Sequence, residues 1–302
     1  MKPPEEYKQK IKRSTKKIVL SVLNNLGYTL MKKNTNDLKV YYKLFGENAV
    51  KNKKFYNIGA GAFRHPAWTN VNHDSDSYYL DRNNIDINFD LMSLKQMPIK
   101  SDSAFIVYTS HTIEHITNES AQNTFNETYR ILKKGGIFRV TMPNVDLAYR
   151  AFKENDIYFY NLQTKYHSKR AMQRMKLLKS QNKPFIGEFF LLRIAGNVSP
   201  LHEHGAKKRF TDKELKEIFS NMKYEDALDF IISHCSIKIQ KENPGNHINW
   251  WNFNKLKKML EKAGFTKIYL SGYGQSFSPV LRNTFFFDNT APELSLYVEA
   301  FK

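Results

Sequence analysis

The 302-residue sequence holds one cysteine, Cys235, so no internal disulfide framework staples it, and that usage fits a reducing cytoplasm. No apolar run is long enough to span a bilayer. The amino terminus carries Pro3, Pro4, Glu5 and Glu6 where a signal peptide would need its apolar centre, so no such peptide is expected. Acidic residues are scarce, 29 Asp+Glu against 47 Lys+Arg, which leaves a formal net charge of +18. A balance of that sign excludes a partner chosen for its positive charge and points toward polyanions or anionic headgroups.

Apolar residues make up 41% of the chain, enough for one large α/β domain with additions or for two smaller domains. The excess charge is local. Residues 1–54 hold 14 Lys+Arg and 4 Asp+Glu, and residues 161–183 hold 7 Lys+Arg and no acid, so these two segments supply 17 of the 18 charges. The rest is nearly neutral. The basic character therefore belongs to appendages that attract a polyanion or an anionic lipid surface, or that are simply solvated.

Glu5 to Leu26 has the pattern of an amphipathic helix, with Ile11, Ile18, Val19, Val22, Leu23 and Leu26 on one side and Gly27 as its stop. Such a helix either packs against the domain or a second subunit, or lies on a membrane surface. Residues 31–52 are polar with one short apolar piece at Tyr41–Phe45, and are expected to be an irregular connector.

The most informative stretch is FYNIGAGAFRHPAWTNVNHD, Phe55 to Asp74. A short apolar run ends abruptly in Gly59-Ala60-Gly61, a strand followed by a turn whose backbone can approach a ligand. A second apolar segment, Trp68 to Val71, ends in Asn72-His73-Asp74, where the next strand would present a ribose-binding side chain. The dinucleotide fingerprint G-x-G-x-x-G would need glycine where Arg64 stands, and no Gly-Lys-Ser/Thr follows as a P-loop requires. Ile85–Phe89 then reads as a third strand delivering Asp90-Leu91. Ser103–Thr109 reads as a strand buried on both faces and delivers Ser110-His111. A helix capped by Thr117 follows, expected to close at Gly135-Gly136, and Ile137–Met142 reads as a fifth strand. Alternating strands and helices predict a parallel sheet whose polar strand tips gather at one edge.

Asn57-Ile58-Gly59-Ala60-Gly61 with Pro66-Ala67-Trp68-Thr69-Asn70-Val71, then Asp90-Leu91, MPIKSDSAFIVYTSHTIEHI and YRILKKGGIFRVTMPNVD, resemble the successive motifs of class I S-adenosylmethionine-dependent methyltransferases, in particular the type 11-like branch. The resemblance covers about Phe55 to Asp146. It departs from the family at Lys134, where proline is usual, and at Asn72, where an acid usually takes the ribose hydroxyls. Either Asn72 through its amide or Asp74, two places on, is expected to do so. The resemblance implies a Rossmann-like α/β fold, a seven-stranded mostly parallel sheet with helices on both faces, and S-adenosyl-L-methionine as cofactor. It also implies a cofactor site made of Asn57, Gly59, Ala60, Gly61, Asn72, Asp74, Asp90, Leu91, Ser110 and His111, with the glycine turn at the methionine part and Asp90 with Leu91 by the adenine.

His111 and His115 stand just past the fourth strand with Glu114 beside them, and are the candidates for placing the acceptor and taking its proton, His111 expected nearer the cofactor and His115 nearer the acceptor, unless they only cap the helix or pack on the cofactor. His-x-x-x-His can also ligate zinc, but no third ligand is evident from spacing, so no metal is expected. After Pro200, the run Leu201-His202-Glu203-His204-Gly205 with Lys207, Lys208 and Arg209 resembles substrate-facing loops of surface-glycan pathway methyltransferases, making His202 and His204 further catalytic candidates. Thr211-x-x-Glu214 is a capping box. Asn254–Ala263 is a predicted helix stopped by Gly264, and Thr266–Leu270 with Leu294–Phe301 resembles the antiparallel carboxyl-terminal hairpin of the family. Between those strands Tyr273, Gln275 and Arg282 could reach the site, and Asn246-His247 with Trp250-Trp251 could line it.

The expected organisation is a basic helical extension over 1–52 and a methyltransferase domain over 53–302 with an insertion at about 147–250. The expected activity is O-methylation of a sugar, glycan or phosphate-bearing small molecule, the basic segments favouring an anionic acceptor in polysaccharide biosynthesis. A homodimer and peripheral membrane contact are further expectations. RNA methylation is the competing reading that charge supports, although the Asn/Asp-Pro-Pro-aromatic motif of base amino methylation is absent; a non-catalytic binding module is the other, suggested by Asn72.

Overall fold

The computed structural model describes residues 18–23, 25–26, 37–74, 84–161, 186–202 and 204–302. The chain forms two compact units, Met1–Leu38 and Lys39–Lys302. In the first, residues 18–23 and 25 are helical, and Ile18, Val19, Val22 and Leu26 are exposed. The rest of the predicted amphipathic helix and the second basic segment, 161–183 apart from residue 161, lie outside the described residues. Among the described residues no helix is long and apolar enough to cross a membrane.

The stretch expected to be an irregular connector is instead helical, α1 (Asp37–Lys51), kinked at Gly46. The reason is visible in its spacing. Tyr41, Phe45 and Ala49 recur every four residues and form one face. Tyr41 is fully buried, its ring packs edge-on to Phe55 at 5.1 Å, and its hydroxyl accepts a 2.7 Å hydrogen bond from the Trp68 indole. The second unit therefore begins well before Lys53.

Seven strands follow: β1 (Phe55–Ile58), β2 (Trp68–Asn72), β3 (Ile87–Asn88), β4 (Ala104–Ser110), β5 (Leu132–Pro143), β6 (Lys267–Ser271) and β7 (Ser295–Phe301). They lie in the order β3-β2-β1-β4-β5-β7-β6, parallel except β7, which is antiparallel to both neighbours. This is a Rossmann-like sheet, and the strand order reverses between β1 and β4. Connections leave those two strands toward opposite faces, which opens a crevice outside their carboxyl ends. The crevice is where Gly59 and His111 emerge. The third strand is only two residues long, shorter than the predicted Ile85–Phe89.

α2 (Asn118–Ile131) starts under the Thr117 cap, whose hydroxyl accepts from the Ser120 amide at 3.1 Å. It ends at Ile131, not at the glycine pair. Leu132 already pairs with Ala104 in extended backbone, so Gly135 and Gly136 fall inside β5, where Gly135 takes a positive φ of 79° at a register shift. α9 (Phe253–Ala263) packs on α2 and closes at Gly264 as predicted.

Between β5 and α9 the chain builds a helical cap: α3 (Val145–Lys153), α4 (Ile157–Asn161), α5 (Ile186–Ile194), α6 (Asp212–Asn221), α7 (Tyr224–Ser233) and α8 (Ile237–Glu242). Its aromatic core, with Phe152, Phe190 and Phe210, is separate from the core under the sheet. The Thr211/Glu214 capping box forms in full and opens α6.

On β5, Arg139 is fully buried and ties the loop before β7 to the sheet. Its guanidinium donates to Asp288 Oδ1 (2.9 Å) and Oδ2 (2.5 Å), to Ser271 Oγ (3.1 Å) and to the Gly272 carbonyl (2.9 Å), and meets Glu299 Oε1 at 3.1 Å. All five N–H groups are thus engaged. Tyr108 on β4 completes the group by accepting from the Asp288 amide at 2.8 Å.

Candidate active site

Two cavities open at the carboxyl ends of β1, β4 and β5. The first, about 410 Å³, is lined by Gly59, Gly61, Val71, Asn72, His73, Phe89–Met92, His111, Thr112, His115 and Ile116, and on the cap side by Gln240, Lys241 and Pro244. The second, about 210 Å³, is lined by His111, Pro143, Asn144, Phe159, Arg193, Asn246, His247 and Thr290, with neighbouring apolar residues of α3 and α5. His111 belongs to both.

The two glycines of the turn do different work. Gly59 has φ 67°, and a Cβ there would stand 2.3 Å from the Thr112 side chain, so glycine lets the loops after β1 and β4 close on each other. Gly61 has φ 54° and nothing within 4 Å of where a Cβ would point. Its carbonyl accepts from the Asn72 amide at 3.4 Å and the Asn84 amide at 3.2 Å, which holds the tip of β2 against the turn. Asp90 uses a carboxylate oxygen to cap the short 3-10 helix Leu91–Ser93, accepting from the Met92 amide at 2.8 Å.

His111 follows β4 in the left-handed region, φ 51°, a conformation that costs about 1–3 kcal/mol in a non-glycine residue and that gathers at functional sites. Its amide donates to Thr141 on β5 at 2.9 Å, and its ring Nε2 lies 2.8 Å from Ser295 Oγ. Nδ1 lies 3.2 Å from Glu114 Oε1, within reach but at an angle too oblique for a hydrogen bond.

Glu114 is 1% exposed, and neither of its oxygens has a hydrogen-bond donor in the structure. Besides His111, the nearest charged or chargeable atoms are His115 Nε2 at 3.8 Å and His247 Nε2 at 4.0 Å. Burial works to raise its pKa. The close contact with His111 and the charges of His111, His115 and His247 together outweigh that, and the carboxyl is held down at about 2. For His247 burial works downward, to about 3, and the charge on His115 acts the same way against the opposing pull of Glu114.

The remaining predicted residues lie elsewhere. Asn57 is buried within β1, Ala60 is buried beside the turn, and Ser110 Oγ accepts from Thr141 Oγ1 at 2.9 Å; among the described residues none lines either cavity. Of the two ribose candidates Asn72 lines the first cavity, whereas Asp74 is exposed beyond it, its amide donating to Asn88 Oδ1. His202 stands one step back, 2.8 Å from the Asn246 side-chain oxygen, and His204 is exposed. Arg282 donates to the Ser276 carbonyl at 2.7 Å, and Trp250 and Trp251 are core. Sequence spacing gave no sign of Gln240 and Lys241 from α8, of Arg193 from α5, or of how closely His247 approaches Glu114. Two amides, Ile248 and Asn249, donate to the Glu114 carbonyl at 2.9 and 3.1 Å and bring His247 in.

Residues 67–140 match the model of a methyltransferase domain. No curated protein matches the sequence. Solved structures similar to the chain include an S-adenosylmethionine-dependent methyltransferase of Thermotoga maritima described as a possible histamine N-methyltransferase, 12% identical, covering 88% of this chain and 95% of that one at a TM-score of 0.36. Another from Archaeoglobus fulgidus is 12% identical, covers 90% and 95% of the two chains, and scores 0.37. Human N-acetylserotonin methyltransferase with S-adenosylmethionine is 11% identical, with 89% and 52% covered, and scores 0.34. At such scores these likenesses say nothing about an acceptor.

The first cavity suits S-adenosylmethionine on its own terms. Gly61 leaves bare backbone at one end, Asn72 supplies an amide at the tip of β2, and Phe89, Leu91, Met92 and Ile116 offer an apolar slot for a purine. A methyltransferase-domain match that runs through β2 and β4, on a sheet of this topology and with this cavity at its switch point, makes the chain an S-adenosylmethionine-dependent methyltransferase.

Proposed function

We propose that the chain transfers the methyl group to an oxygen of a sugar, glycan or phosphate-bearing small molecule held in the second cavity. The observation that carries this reading is the position of His111 in the shared wall of both cavities. Bound S-adenosylmethionine supplies an electrophilic methyl group on a sulfonium. Asn72 takes the ribose hydroxyls, Gly59 and Gly61 leave room for the methionine part, and Leu91 with Met92 bounds the adenine. The acceptor enters from the other side, past Asn144, Arg193 and Asn246, whose polar ends suit hydroxyl and phosphate oxygens better than an apolar ring.

His111 then orients the acceptor oxygen and removes its proton. Its Nε2 lies 2.8 Å from Ser295 Oγ, whose own hydrogen is directed at the Ala291 carbonyl at 2.8 Å, so an acceptor hydroxyl takes the place of that contact to reach the ring. Holding both partners against one side chain makes a bimolecular step effectively unimolecular. His115, in the first cavity with Nδ1 fixed at 2.8 Å on the Asn246 carbonyl, positions the partition between them. His202 acts through Asn246 and not on substrate.

A small cavity with Arg193 on its wall also favours a compact anionic acceptor over RNA. The basic segments gather such an acceptor or hold the protein near an anionic membrane surface. Incubation with methyl-labelled cofactor and a panel of sugar phosphates, lipid-linked glycans and RNA tests the reading. Label on a sugar or phosphate oxygen is expected; label on RNA alone would overturn it.

A further inference from the structure

Glu114, His115 and His247 come from two segments 132 residues apart, and one ligand atom of each lies within 4.8 Å of the other two. What surrounds them decides what these atoms can be. His115 Nδ1 lies 2.8 Å from the Asn246 carbonyl and His247 Nδ1 lies 2.8 Å from the Arg193 carbonyl. A carbonyl only accepts, so both Nδ1 atoms carry a proton, and a ring that holds no second proton presents its Nε2 lone pair to the interior. Those lone pairs face Glu114 Oε1 at 3.8 and 4.0 Å. Three acceptors therefore converge on one point, one of them a carboxylate that is 1% exposed, whose Oε2 has no donor and whose Oε1 has His111 Nδ1 at 3.2 Å outside hydrogen-bond geometry. Such a convergence is repulsive unless a cation lies within it.

The supports resemble those of a prepared metal site. Each histidine is fixed through its far nitrogen, as metal-ligating histidines are. The Asn246 carbonyl is itself held by Gln240 Nε2 at 2.9 Å, and the same amide reaches the His115 carbonyl at 2.9 Å. The Ile248 and Asn249 amides clamp the Glu114 backbone oxygen, and Gly196 donates to the His247 carbonyl at 2.7 Å. Tetrahedral ligands with bonds of about 2.0–2.2 Å stand about 3.3–3.6 Å apart, so the edges of 3.8 and 4.0 Å contract by about half an ångström and the third, at most 4.8 Å, by up to about 1.5 Å.

We propose that Glu114, His115 and His247 bind one divalent transition-metal ion, zinc by the chemistry of two imidazoles and a carboxylate. Three protein ligands leave a fourth position for water or an oxygen ligand. His115 lines the first cavity and His247 the second, so the ion sits in the partition between them. An acceptor oxygen in the fourth position would lose its proton more readily; that role, unlike the site, rests on the reading of the second cavity given above.

The test uses untagged full-length protein, treated with chelator and then titrated with Zn2+ by calorimetry and with Co2+ by visible absorption. One ion per chain is expected, with the d–d bands of low-coordinate cobalt and a rise in thermal midpoint on adding zinc. His247→Ala and Glu114→Gln should each weaken zinc by at least about tenfold, while His234→Ala, remote from the cluster, keeps it. Retained S-adenosylmethionine binding shows that the variants are folded. Wild-type protein that binds neither ion, or zinc binding unchanged in both site variants, would overturn the proposal and leave a proton as the cation at Glu114.

Discussion

Around Arg139 a guanidinium and two carboxylates are buried together, and no side-chain atom of the three lacks a partner; around Glu114 one carboxylate is buried among three imidazoles, and neither oxygen has a donor. Both clusters sit on the same sheet, one behind β5 and β7 and the other at the tip of β4. The first closes on itself and fastens the loop before β7. The second is open toward two cavities and is completed by a cap residue, His247. A saturated network can only hold, whereas an unsaturated one has capacity left for a ligand, a proton or a substrate.

Breaking the saturated cluster should have the larger effect on stability. Arg139→Met strands Asp288 and Glu299 without their cation and should destabilise the fold by about 3–5 kcal/mol in denaturant unfolding. Glu114→Gln, compared in chelator-treated protein, should cost less than that, because the carboxylate it replaces has His111 at 3.2 Å and two more distant imidazoles in place of a closed set of donors. Equal losses would erase the distinction.

Next in size is His111→Ala. Turnover should fall about 10²–10³-fold, with S-adenosylmethionine affinity by calorimetry and the thermal midpoint nearly unchanged. A loss of affinity alone would reduce His111 to a cavity wall. Asn72→Ala should weaken the cofactor about tenfold, the worth of one or two hydrogen bonds to a ribose, whereas Asp74→Ala should leave it alone; the reverse pattern would reassign the ribose.

The smallest effect concerns pH. Burial, and after it the charge of Asp288, push the Tyr108 phenol up to about 12 from its ordinary value near 10. A raised folded-state pKa means that its contribution is whole below about pH 10 and is lost as pH rises through 12. Absorbance titration of the tyrosines should show a late class that ionises together with unfolding, made of Tyr108 with the other burial-raised phenols Tyr160, Tyr224 and Tyr297. Ionisation of every tyrosine near pH 10 in folded protein would contradict the burial of this cluster.

Much of the sheet was legible because its signals are local. Glycine at the end of an apolar run, the Thr117 and Thr211 caps and the Gly264 stop each depend on residues a few places apart, and each stands where the sequence put it. The four-residue spacing of Tyr41, Phe45 and Ala49 was equally local, but their polar neighbours masked it. Gly135-Gly136 misled because a glycine that often ends a helix here serves a register shift in a strand. The cavity lining was legible on its sheet side, at Gly59, Gly61, Asn72, Asp90, Leu91, His111 and His115, and on its cap side at Asn246 and His247 alone. Its cap side depends on where α5 and α8 fold back, and the approach of His247 to Glu114 is a contact across 133 residues that no spacing rule encodes. His202 and His204, adjacent in sequence to strong charge, turned out to stand behind Asn246 and in solvent.

The most direct test concerns where methyl transfer occurs. A crystal structure with S-adenosylmethionine is the measurement, and it should show the adenine over Leu91 and Met92, the ribose on Asn72 and the methyl group turned toward His111 and the second cavity. A sulfonium methyl facing away from that cavity, or a cofactor bound outside the cleft at Gly59 and Gly61, would contradict it.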